Sequence, residues 1–406
     1  MLVNFKVTNY RSFKGEQEFS METGRHLSKF RDNNTITLKR EKLLKSALLF
    51  GANANGKTNL IRALTMLKSL VLHPTPDEIQ RLNTDTFGYN SDNTIFDIKF
   101  IENNNEYDYF LEYNAKEIVG ENLTKNNQVV FSRRRQLVSE IPDQLKPIID
   151  NLRKNQLLLY FAQQNNVTVA KEAYRWFVED LILINTNAIQ NTKFKALKNG
   201  KFKKKFIHFL QAADFNITDV EVREHPETVP NPSYILNKLN SEDTDEANMA
   251  ETIQSSVLDV FCTHRSENGT FSVHFTNEST GTKVFMILAL YFLSNSRKTL
   301  LIDEFDRSYH LELAEALIAL INSEEQTNQF ILTTHELSLM DCRLRQDQIW
   351  FAEKNQFGET ELFSLFDFDD PALKRSDFNY KKRYLEGRYG ATQIVNQGLL
   401  MEALKR

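Results

Sequence analysis

The chain opens on an alternation. Val3, Phe5 and Val7 are apolar between polar neighbours, which predicts a half-buried strand. A second apolar run, Ala47–Phe50, leads directly into the octapeptide Gly51-Ala52-Asn53-Ala54-Asn55-Gly56-Lys57-Thr58. Behind it, Asn59–Leu72 carries Leu60, Ile61, Leu64, Leu67, Leu70 and Val71 at helical spacing. From Ile95 to Arg133 the period drops to two, in short runs broken by Asn-rich turns such as Asn103–Asn105, and predicts an antiparallel meander. Ile141–Leu210, rich in Leu, Lys and Gln, reads as helical. Glu224–Ala250 holds Pro226, Pro230, Pro232 and an acidic cluster (Glu242, Asp243, Asp245, Glu246), so it reads as an exposed loop. Beyond it the pattern gives a strand at Phe271–Phe275, a helix at Thr282–Leu293, and a buried strand at Thr299–Ile302. A helix at Leu311–Asn322 and a buried strand at Gln329–Thr333 follow. Strands alternating with helices predict an α/β fold with a mainly parallel sheet.

Composition narrows the class. The chain's 406 residues exceed what one ordinary domain needs, so a core with an added lobe is expected. Residues 1–135 and 261–406 are read as the two halves of that core, and 136–260 as an inserted, mainly helical lobe. A net charge of -4 excludes a generally basic coat for nucleic acid or membrane, leaving only local patches such as Lys193–Lys205. Cys262 and Cys342 stand far apart and outside any metal-ligand spacing, which fits a reduced cytosol. The longest apolar run, Val284–Leu293, is about half of what a bilayer requires. A cytoplasmic protein is expected.

Four segments carry chemistry. Gly51–Thr58 fits GxxxxGK[ST], between a strand and a helix as a phosphate loop requires. There the backbone from Gly51 through Ala52, Asn53, Ala54, Asn55 and Gly56 to Asn59 would cradle phosphates. Lys57 would reach the β- and γ-phosphates of ATP, and Thr58 would ligate Mg2+. Second, Asp303-Glu304 ends the apolar strand Thr299–Ile302, where ligands bind in open α/β sheets. Asp303 would hold Mg2+ through water and Glu304 would polarise the attacking water. Third, His335 follows the strand at Gln329–Thr333; it could meet the γ-phosphate, or serve only as a structural hydrogen-bond partner. Fourth, Asn277–Lys283 brings Ser279 and Gly281 to a helix start, as an anion site or as ordinary capping by Ser279 or Thr280.

In this order the pieces resemble the SMC/RecF/OLD branch of ABC ATPases, and more narrowly the abortive-infection AAA-type ATPases that include RloA- and PARIS AriA-like proteins. The resemblance lies in FKVTNYRSFKG, GANANGKTNLIRAL, ESTGTK, LLIDEFDRSYH and FILTTHELSLMD, with QIWFAEKNQFGETELFSLFDF and YLEGRYGA in the tail. It covers roughly Met1–Phe131 and Phe271–Ala391. It implies a P-loop fold of ABC-ATPase type with an antiparallel β meander and an inserted helical lobe. It also implies that Ser279 and Gly281 form a signature motif closing on the ATP of an opposing subunit. Asp306–His310 then falls in the D-loop region and His335 at the switch-histidine position, while no Gln is assigned to sensing Mg2+. Hence a homodimer or higher homo-oligomer is expected, an ATP switch controlling a separate nuclease or toxin. A RecF- or SMC-like DNA-repair ATPase is the alternative. A built-in OLD-type nuclease is not expected, because the segment after His335 is short and Asp367, Asp369 and Asp370 read as a solvated turn.

Overall fold

The computed structural model describes residues 1–38, 41–185, 191–230, 252–294, 296–369, 378–390 and 397–404. The chain divides into two compact units, Met1–Ile184 together with Asn295–Arg406, and Asn185–Ser294.

The first unit is built on two sheets. One has seven strands in the order Leu137–Glu140, Gln128–Arg134, Ile118–Lys125, Asn105–Tyr113, Thr94–Glu102, Leu2–Thr8 and Gln17–Ser20. All its pairings are antiparallel, and Thr94–Glu102 alternates buried with half-buried residues as the period-two pattern requires. The other sheet runs Leu181–Leu183, Thr299–Ile302, Gln329–Thr333, Ser46–Phe50, Ile349–Lys354 and Thr360–Ser364. It is parallel except for its last hairpin. Ser46–Phe50 is buried at all five residues, since neighbours flank both its edges. The helix Lys57–Leu72 lays Leu60, Leu64 and Leu67 into a core shared with Phe5, Phe96 and Tyr109 of the seven-stranded sheet. This is the α/β P-loop architecture read from the sequence.

The expected boundaries shift. Leu145, Leu152, Leu158, Phe161 and Ala170 bury themselves in that same core, and Trp176 stacks on Phe100 at 4.2 Å between centroids. Residues 136–184 therefore pack with the N-terminal half, and the separate unit starts at Asn185 instead of 136 and runs to Ser294 instead of 260. The helical expectation for Ile141–Leu210 holds in pieces, at Leu158–Gln164, Thr168–Arg175 and Gly200–Ala212. It fails at Leu181–Leu183, where three consecutive apolar residues extend the parallel sheet beside Thr299.

A buried ion pair ties this segment to the meander. Glu121 accepts the Leu158 and Leu159 amides at 2.6 and 2.8 Å and the Tyr109 hydroxyl at 2.9 Å, satisfying the open N-terminus of a helix. Arg133 lies 3.7 Å from Glu121 and donates to the carbonyls of Gln156 and Arg153 at 2.6 and 3.0 Å. At 2% exposure Arg133 is unavailable to a nucleic acid. Replacing Arg133 by Met strands a buried carboxylate and is expected to cost about 3–5 kcal/mol. Urea unfolding with and without the substitution measures this; a midpoint within error of wild type would refute it.

The second unit pairs the helices Gly200–Ala212 and Thr280–Ser294 with a three-stranded sheet of Ile217–Pro230, Thr252–Ser266 and Gly269–His274. It is thus mixed rather than mainly helical. Glu224–Pro230, expected to be loop, continues an edge strand in register to Pro230 opposite Thr252. An edge strand tolerates Pro226 and Pro230 because their missing N–H groups take no part in the ladder. The rest of that expected loop, 231–250, lies outside the described residues.

Candidate nucleotide site

The site begins where the central parallel strand ends. Leaving Phe50, the backbone turns through Gly51 (φ 146°), Ala54 (φ 64°) and Gly56 (φ 96°) before the helix begins at Lys57. A Cβ on Gly51 would collide with the Ala352 carbonyl, and one on Gly56 with the Thr360 and Ser12 hydroxyls, so both positions exclude larger residues. Around the loop, Asn55 Nδ2 donates to Ala352 O at 3.2 Å, Thr360 Oγ1 to Asn55 O at 3.0 Å, and Asn59 Nδ2 to Ser12 Oγ at 2.7 Å. Ser12 and Thr360 were not singled out from the sequence. Ser12 falls in the NYRSF opening and Thr360 in the tail segment QIWFAEKNQFGETELFSLFDF, and neither motif by itself assigns a contact.

Inside the loop the Lys57 ammonium donates to the carbonyls of Gly51 and Ala52 at 2.7 and 3.0 Å. Burial pushes its pKa down to about 8, with Asp306, Asp303 and Glu304 opposing. His335 Nδ1 lies 3.4 Å from the same ammonium. Lysine carries donors and no acceptor, so a hydrogen bond here requires this imidazole nitrogen to accept. Burial, followed by the Lys57 charge, lowers the His335 pKa accordingly.

The acidic pair sits one strand further along. Thr58 Oγ1 donates to Asp303 Oδ1 at 3.1 Å, and Thr333 Oγ1 donates to the same oxygen at 2.5 Å. Glu304 adopts φ 52°, ψ 52°, with its amide donating to Thr333 Oγ1 at 2.8 Å. A left-handed non-glycine at a strand end is strain of the kind that collects at reactive sites. The Glu304 carboxylate meets Arg307 at 2.5 Å on the surface. Asp306 completes the group by accepting the His335 amide at 3.1 Å. Lys57, Thr58, Asp303, Glu304 and His335 therefore gather at the C-terminal edge of the parallel strands, the expected crevice of an open α/β sheet.

Thr58 and Asp303 offer a hydroxyl and a carboxylate, a hard-oxygen pair that fits Mg2+. Among the described residues no three His, Cys, Asp or Glu side chains form a metal cage, and a Mg2+ shared with phosphates needs none. Ser279 and Gly281 belong to the second unit. There the Ser279 hydroxyl accepts the Thr282 amide at 3.1 Å and pairs with Thr282 Oγ1 at 2.8 Å, the capping role weighed from the sequence. Asp367 accepts the Ser364 amide at 2.8 Å as a turn cap, Asp369 is exposed, and Asp370 lies outside the described residues.

Solved structures similar to the chain include the SMC head domain from Thermotoga maritima (14% identity, TM-score 0.40, 89% of this chain and 98% of that one). Another is an Smc head domain with an extended coiled coil, bound to the C-terminal domain of ScpA, from Pyrococcus furiosus (10% identity, TM-score 0.43, 89% and 96%). No curated protein matches the sequence. Among the described residues no helix is long and apolar enough to cross a membrane. The family described as "AAA domain, putative AbiEii toxin, Type IV TA system" matches residues 46–341, from the strand before the phosphate loop to beyond His335. With well over half of its length matched, the chain belongs to that family of AAA-domain ATPases.

Proposed function

We propose that the chain is the ATPase of an anti-phage, abortive-infection system of the RloA- and PARIS AriA-like kind, cytoplasmic, and switching a separate nuclease or toxin. The observation that supports it most is the convergence of Lys57, Thr58, Asp303 and His335 on one sheet edge, within a family whose description names a toxin system. Gly51–Asn59 wraps the phosphates of ATP, and Lys57 exchanges its two loop carbonyls for β- and γ-phosphate oxygens. Thr58 and Asp303 hold Mg2+, which neutralises developing charge on the phosphates when bound. Glu304 takes the proton of the attacking water, and His335 senses the γ-phosphate. Ser279 and Gly281 close on the ATP of a second copy, so that ATP favours the associated pair and hydrolysis releases it.

Phage challenge tests the biological role. Cells carrying the chain with its own flanking genes should lower plating efficiency by orders of magnitude, and Lys57→Ala should abolish that. Equal plating with and without the locus would overturn it.

The second reading is a RecF- or SMC-like DNA-binding ATPase, resting on Lys193–Lys205. Within the second unit much of that stretch is already engaged. Glu224 holds Lys195 and Lys198 at 2.7 and 2.5 Å, Asp219 holds Lys203 at 2.7 Å, and Lys193 sits over the Tyr291 ring. Lys201, Lys204 and Lys205 stay exposed on the helix and carry what remains of this reading. Replacing those three by Ala should reduce the salt slope of duplex-DNA binding by about 2–3 if they contact phosphates. An unchanged slope removes the DNA reading.

A further inference from the structure

The tail segment YLEGRYG (residues 384–390) and the short helix Tyr380–Leu385 take no part in the site as described, yet they touch it at two places. The first is the turn after His335. Glu336 starts that turn by accepting the Ser338 amide at 2.9 Å, and this N–H holds its carboxyl below the usual range. Lys381 Nζ donates to Ser338 Oγ at 2.8 Å, and the Tyr380 amide donates to Asp341 Oδ1 at 2.8 Å, at the other end of the same turn. The helix thus grips both ends of Leu337–Asp341, the turn that continues the His335 backbone.

The second contact is with the strand behind the phosphate loop. Tyr384 and Tyr389 stack on Phe351 at 5.6 and 5.9 Å. Phe351 pairs in register with Phe50, the last residue before Gly51, and the next carbonyl, Ala352 O, receives Asn55 Nδ2. A sharp turn at Gly387 (φ 75°) brings Tyr389 back onto that ring, and Gly390 (φ 67°) follows it. The positive φ at Gly390 favours glycine there, and its Cα lies close against the Glu353 carboxylate.

We propose that this tail element positions the His335 turn for hydrolysis, with Lys381 as the positioning residue that acts through His335. The alternative is that it only covers apolar surface. The two differ because Lys381 is half-buried and lies outside the tyrosine stack, so its loss should spare folding and reach the reaction alone. The inference rests on the assignment of His335 to the reaction, and its test separates the two.

Steady-state hydrolysis and ATP affinity are measured for Lys381→Ala, Lys381→Arg, His335→Ala and the double variant Lys381→Ala/His335→Ala, with melting temperatures. Lys381→Ala should lower kcat by about tenfold or more. Its ATP affinity and melting temperature should stay at wild-type values, and Lys381→Arg should recover most of the rate. The double variant should be no slower than His335→Ala, since the lysine works through the histidine. A wild-type kcat in Lys381→Ala, a matching loss of affinity, or additive losses in the double variant would overturn the proposal. A wild-type rate in His335→Ala would instead remove His335 from the reaction, and the proposal with it.

Discussion

Glu304→Gln should bind ATP as tightly as wild type, hydrolyse it more slowly by about 100-fold or more, and accumulate as the associated species. The substitution keeps the side chain's shape and removes only its ability to take a proton. The left-handed backbone at Glu304 and its amide bond to Thr333 Oγ1 need no carboxylate, so local geometry should survive. The Arg307 ion pair becomes a neutral hydrogen bond, but that pair is exposed, with Arg307 at 80%, and surface pairs contribute little. The Lys57 ammonium and the loop amides, to which the proposal assigns ATP binding, are untouched. If ATP holds two copies together and hydrolysis parts them, blocking the chemical step must shift the population toward the pair. Single-turnover release of phosphate gives the rate, and scattering mass with and without ATP gives the assembly. Brisk turnover would remove Glu304 as the base. Slow turnover without association would leave the base in place and remove the ATP-driven pairing.

Much of the site was legible because its residues sit at fixed offsets from strongly patterned elements. Ser46–Phe50, Thr299–Ile302 and Gln329–Thr333 are short apolar runs that become neighbouring parallel strands, and each delivers its chemistry at its C-terminal end. Sequence order fixes Lys57, Asp303 and His335 to those ends, so their meeting needed only the correct sheet. Ser12 and Thr360 were not legible in this way. They reach the site through turns and a hairpin, and a hydroxyl in a turn has no periodicity to betray it. The unit boundary at Asn185 was hidden for a related reason. Leu158, Phe161 and Trp176 look like any amphipathic helix face, and nothing in a local pattern says which core will receive them. The strand across Pro226 and Pro230 was missed because proline argues against a central strand and says nothing against an edge.

Lys57→Ala should abolish measurable ATP binding at ordinary concentrations. Hydrogen bonds to charged groups contribute about 1.5–3 kcal/mol each, so losing the ammonium from two phosphates should weaken affinity by roughly 100-fold or more. The phosphate-loop site gives a further signature. There Lys57 has a pKa of about 8 because burial disfavours its charge, and bound phosphates must raise it. ATP binding is therefore linked to protonation. Affinity should be level below about pH 8, where Lys57 is already charged, and should fall by up to about tenfold per pH unit above it. Any ATP binding left in Lys57→Ala should lack that slope. Calorimetric titration between pH 7 and about 9.5 reads both effects, and melting of the nucleotide-free protein controls for the Gly51 and Ala52 carbonyls left without their donor. Wild-type affinity in Lys57→Ala would remove the phosphate-loop assignment. A flat pH profile in the wild type would show that the buried ammonium keeps its proton without the nucleotide, so the loop carbonyls and nearby carboxylates would outweigh its burial.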